Sequence, residues 1–178
     1  MPRYHKLGKI PPKRHTTFEK PDGSLYQEEL FGTAGFAGMS SLIYHLYPPT
    51  VVSEVKRGKD VSPKVAIDKN MKALSFKGFS LSSEKDYLAS RKTLFVNNDL
   101  HIGLAAPMGF SKDYFYRNSD ADEMLFIHMG SGILKTMYGN IEFKYGDYLI
   151  IPRGTTYQID FDTEENKLLY IESFSPIV

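Results

Sequence analysis

The feature that most constrains this chain is a run of short apolar segments, cut by glycine and proline, between Met124 and Phe161. Residues 124–129, 132–138, 141–144 and 148–151 are apolar or alternating, the pattern of half-buried strands. Gly130-Ser131-Gly132, Gly139-Asn140 and Gly146-Asp147 separate them. Gly-Asn between two such runs signals a tight hairpin, because glycine tolerates positive φ at the first central position. Pro152-Arg153-Gly154 ends a strand, since proline cannot donate to a ladder, and residues 155–161 re-enter. Short strands at this spacing predict an all-β sandwich or barrel.

The same stretch resembles the two motifs of the cupin (RmlC-like) jelly-roll barrel. The first motif, His-x-His, four spacers, Glu, six spacers, Gly, falls on Tyr116, Asn118, Glu123 and Gly130. The second, Gly, five spacers, Pro-x-Gly, two spacers, His, falls on Gly146, Pro152, Gly154 and Tyr157. The structural positions match, while three of the four metal positions do not. Non-haem Fe(II) is commonly held by two imidazoles and a carboxylate. A phenol with an ordinary pKa near ~10 replaces imidazole poorly. Asn118 offers a neutral amide, which leaves Glu123 as the one anionic donor. Tyr116, Asn118, Glu123 and Tyr157 therefore read first as a hydrogen-bonded plug in the barrel, and second as a metal-free pocket. No metal ligand and no catalytic residue is expected in this chain. A metal-free isomerase would need an inward-facing base, for which His101 is the candidate.

Elsewhere the composition excludes more than it suggests. With 22 basic and 21 acidic residues, no field of either sign favours nucleic acid or an anionic membrane. The absence of cysteine rules out disulfides and thiolate metal sites. No apolar run reaches the ~18 residues of a membrane span, and the basic start lacks the apolar core of a secretory signal. A cytoplasmic location is the default expectation. The 178 residues predict one domain overall, with 1–35 as an N-terminal arm packing on a degenerate barrel of 36–178.

In the arm, Lys13-Arg14-His15 and His5 read as solvated groups. Small residues over 32–36 suggest a closely packed loop. Residues 38–47 and 51–55 predict strands, with His45 a satisfied, partly buried histidine. Ser82-Ser83-Glu84 suggests a serine-capped short helix ending near Arg91. Residues 93–96 and 100–106 form a predicted hairpin, and 167–174 a closing strand. Because 124–129 is apolar on both parities, both faces of that strand should be covered by chain, domain or subunit.

Several blocks are more specific. YHKLGKIPPKRHT at 4–16, KPDGSLYQEELFGTAGFAGMSSLIYH at 20–45, and FYRNSDADEMLFIHMGSG at 115–132 resemble homogentisate 1,2-dioxygenases, particularly bacterial ones. YGDYLIIPRGTTYQI at 145–159 and YIESFSPI at 170–177 fit as well. Members of that family are about twice as long and have two cupin-like halves. The resemblance implies an Fe(II) enzyme that opens homogentisate to maleylacetoacetate in tyrosine and phenylalanine breakdown. It implies that the iron, its ligands and the base belong to a C-terminal half, and that the assembly is trimer-based. The expected role of the present residues is structural, with the chain cut at Val178. The alternative expectation is a self-contained metal-free cupin that binds a small polar or aromatic ligand.

Overall fold

The computed structural model describes residues 18–35, 37–49, 51–67, 72–109 and 113–177. The Lys13-Arg14-His15 cluster and His5 lie outside them. Two compact units divide between Arg57 and Gly58, later than the boundary expected after residue 35. In the first unit, β1 (Gln27–Ala34) and β2 (Ala37–His45) form an antiparallel hairpin across that position. The small residues read as a loop thus include a strand end. His45 Nε2 sits 2.8 Å from Glu29 Oε2, the satisfied histidine expected. Residues 51–55 form no strand. Val51, Val52 and Val55 are exposed, so no neighbouring backbone completes a ladder there.

The second unit carries β3 (Lys92–Val96), β4 (Leu100–Ala105), β5 (Tyr116–Arg117) and β6 (Asp122–Met129). It continues with β7 (Gly132–Thr136), β8 (Gly139–Phe143), β9 (Tyr148–Ile151), β10 (Thr156–Phe161) and β11 (Lys167–Ser173). One sheet runs β3-β4-β11-β6-β9, the other β5-β10-β7-β8. From β4 onward the chain is one long antiparallel hairpin, rolled up. Its β7–β8 tip closes at Gly139, its arms pair β6 with β9, β5 with β10 and β4 with β11, and the two sheets share those pairs. This is the jelly-roll barrel of the cupin type.

Alternation places Leu125, Ile127, Leu134, Phe143, Leu149, Ile151, Ile159, Phe161 and Leu168 in one core. Gly103 is required by packing. A Cβ there would meet the Tyr170 hydroxyl and the Lys92 carbonyl, so the Tyr170 ring can lie across β4 only over glycine. The helix is shorter than predicted: α1 (Tyr87–Ser90) is capped by Asp86, which accepts from Ala89 N at 2.8 Å. It cannot start at Ser83, because Glu84 bridges in parallel to Pro107, with Glu84 N donating to Ala106 O at 2.9 Å. On the outer face of β6, Phe79 stacks on His128 at 3.9 Å and Tyr148 packs against Phe126 at 4.8 Å. Part of the chain itself thus provides cover for this strand.

Candidate functional site

Strand pairing builds the site. Glu172 on β11 stands opposite His101 of β4 on one side and Glu123 of β6 on the other. The three side chains share one register and face the interior. Two carboxylates directly opposite each other repel, and the fold answers with Arg91, the residue that ends α1. Its Nη2 lies 2.6 Å from Glu172 Oε2, and its Nη1 lies 3.8 Å from Glu123 Oε1. The guanidinium sits over the Tyr170 ring at 4.2 Å and the Tyr87 ring at 5.6 Å, a cation–π arrangement suited to a desolvated arginine. Tyr170 is held in turn by Thr93, Oγ1 to Oη 2.7 Å.

The four sequence-predicted positions converge on this row in different ways. Tyr157 donates from its hydroxyl to Glu123 Oε2 at 2.8 Å. Tyr116 pairs with Tyr157 across β5 and β10, their rings edge-to-face at 5.4 Å. Asn118 Nδ2 donates to Glu172 Oε1 at 2.9 Å, while its Oδ1 accepts from Asp120 N and Ala121 N. Sequence reasoning missed Arg91, Glu172 and Tyr87. Arg91 had been placed merely at a helix end, and Glu172 inside a closing strand, with nothing local to join them.

Burial dominates the electrostatics. Glu123 is fully buried, and burial pushes its carboxyl up to about 7. The Tyr157 hydrogen bond and Arg91 oppose that rise, while Glu172 adds to it. The Tyr157, Tyr87 and Tyr116 phenols are all held above their ordinary value by burial and then by the Glu123 charge. Burial alone would lower the Arg91 pKa, but the hydrogen bond and charge of Glu172 oppose it and keep the guanidinium charged. Arg91 Nη1, Glu123 Oε1 and the Tyr87 hydroxyl are buried without a hydrogen-bond partner.

These residues do not fit Fe(II). The carboxylate at the expected metal position already accepts a phenol and faces a guanidinium, the phenols are held protonated, and the Asn118 carbonyl oxygen is committed to its own loop. Among the described residues, no three His, Cys, Asp or Glu side chains are arranged to hold a metal ion. Above the row lies a cleft of about 440 Å³ flanked by His101, Tyr116, Asn118, Glu172 and Phe174. Glu123 and Tyr157 do not line it. His101 Nδ1 is 3.4 Å from Glu172 Oε2, a long contact beside the 2.6 Å ion pair that already engages that oxygen. The arrangement is that of a buried polar row, with three polar atoms left unpaired, beside an open cleft.

Solved structures similar to this chain include a cupin-2 domain protein from Shewanella frigidimarina, 24% identical, covering 53% of this chain and 87% of its own, TM-score 0.45. A conserved protein of Streptococcus pyogenes is 17% identical, covering 66% and 100%, TM-score 0.47. The strand order, rather than these likenesses, defines the fold. A protein of Saccharolobus solfataricus named "Putative dioxygenase" is 39% identical over 168 residues, which are 94% of this chain and 43% of that protein. The chain thus spans less than half the length of this relative. The family model described as homogentisate 1,2-dioxygenase N-terminal matches residues 6–176, and the chain belongs to that family.

Proposed function

We propose that these residues form the N-terminal, structural half of a homogentisate 1,2-dioxygenase. The enzyme would open the homogentisate ring to maleylacetoacetate with Fe(II) and oxygen in tyrosine and phenylalanine catabolism, in the cytoplasm. Iron and the catalytic groups would belong to a C-terminal cupin half, which this barrel braces within a trimer-based homo-oligomer. The family match over 6–176 carries the reading. The barrel interior supports it: the positions that hold metal in a ligand-bearing cupin are occupied here by Tyr116, Asn118 and Tyr157, and the Glu123 carboxylate is tied to Tyr157 and faces Arg91. None of the described helices is long and apolar enough to cross a membrane.

The test uses the protein carrying both halves. Glu123→Gln and Tyr157→Phe should lower thermal stability while iron content and kcat with homogentisate stay unchanged. Loss of iron or of turnover with stability retained would overturn a purely structural role. A second reading, a metal-free module for a small polar or aromatic ligand, is favoured by the cleft beside Tyr116 and Phe174. It would place the ligand against Tyr116, since Glu123 and Tyr157 are sealed below.

A further inference from the structure

Glu123 and Glu172 face each other on adjacent strands with His101 beside them, all three directed at the barrel interior. One buried carboxyl, Glu123, and one partly buried, Glu172, at one register favour a cation between them, because a poorly compensated charge in a barrel interior is costly. The cation present is a side chain. Arg91 enters from the end of α1, is 7% exposed, ion-pairs with Glu172, and is backed by two aromatic faces. Its second nitrogen and the near oxygen of Glu123 are both buried and short of a partner, 3.8 Å apart. The row is therefore built around a positive charge, yet it does not grip Arg91 through every available bond.

We propose that the Glu172–Glu123 row is a binding site for a planar monocation, and that Arg91 is its resident occupant. The barrel then dispenses with a metal ion because it carries its own cation, and the site's chemical class is guanidinium. Removal of the Arg91 side chain should leave a vacancy that free guanidinium fills, satisfying the same carboxylates against the same Tyr170 and Tyr87 faces. This goes beyond the structural-half reading and does not depend on it, since it concerns the interior of this barrel alone.

The experiment is chemical rescue, read by thermal unfolding of the 178-residue chain. Arg91→Ala should lower the Tm by roughly 10 °C, as expected for a broken buried pair. Low-millimolar guanidinium chloride should then raise it saturably, whereas equal sodium chloride or urea should not. In the Arg91→Ala/Glu172→Gln double variant the guanidinium response should vanish. A flat guanidinium response, an equal response to urea, or a response that survives Glu172→Gln would overturn the proposal. Should Arg91→Ala fail to fold under all these conditions, Arg91→Lys and Arg91→Met decide. The lysine variant, which keeps a charge, should retain the higher Tm. A methionine variant equal to or more stable than the lysine variant would show that no cation is needed there.

Discussion

Glu123 is a carboxyl with nowhere to ionise cheaply. Its folded pKa of about 7 lies above the ordinary carboxylate value of 4.5, with burial as the leading cause. The groups around it are Arg91, Glu172, Asn118 and the phenols of Tyr157, Tyr116 and Tyr87. A raised folded pKa means that the folded state binds the extra proton. Its contribution is complete below about pH 4.5, and is lost as pH rises through about 7. Glu123→Gln should flatten that part of the decline between pH 5 and 8, measured as the urea midpoint against pH; an unchanged profile would assign the decline elsewhere. Asp122 has the opposite sign. Burial raises its carboxyl, but hydrogen bonds from Arg153 N and Ile177 N and the Arg153 side chain outweigh this and hold it low. Its contribution is present above the ordinary value of 3.8 and is lost as pH falls through the lower folded value. Tyr157→Phe leaves a Glu123 oxygen unpaired and should cost about 1–3 kcal/mol in chemical denaturation. Tyr116, Glu123 and Tyr157 were legible from motif spacing alone. Arg91 and Glu172 were not, because their meeting depends on β4, β11 and β6 lying side by side, and these strands are far apart in sequence.

At the scale of elements, the strands from β6 to β10 follow the glycine and proline punctuation closely, since each turn there is local chemistry. The misreadings share one cause, contacts distant in sequence. Helix α1 begins at Tyr87 because Glu84 is taken by a bridge to Pro107, which moves the cap from serine to Asp86. Asp86→Ala should cost about 1 kcal/mol. An effect near zero in equilibrium unfolding would show that packing alone positions the helix. Residues 51–55 have strand composition but no partner edge, and composition cannot supply one. Gly103 illustrates the reverse dependence, an element shaped by one distant side chain. Gly103→Ala would drive a methyl into the Tyr170 hydroxyl and the Lys92 carbonyl. It should destabilise by about 1–3 kcal/mol, and Gly103→Ala combined with Tyr170→Phe should recover part of the loss if the clash is with the hydroxyl.

For the whole molecule, the rolled hairpin explains why a barrel can keep its frame while its interior changes character. Gly130, Gly146, Pro152 and Gly154 set turns, and these depend on backbone geometry rather than on what fills the centre. Replacing imidazoles with phenols and an amide, and admitting Arg91, converts an interior of metal-binding shape into a salt-bridged core. The family match places the chain in the homogentisate 1,2-dioxygenase N-terminal family, and on the proposed reading the chemistry would be done outside this barrel. Iron content and homogentisate turnover of the purified 178-residue chain, reconstituted with Fe(II) beside the protein carrying both halves, test this most directly. The account expects neither stoichiometric iron nor ring opening in the 178-residue chain, and both in the longer protein. Stoichiometric iron with ring-opening activity in the 178-residue chain would contradict it.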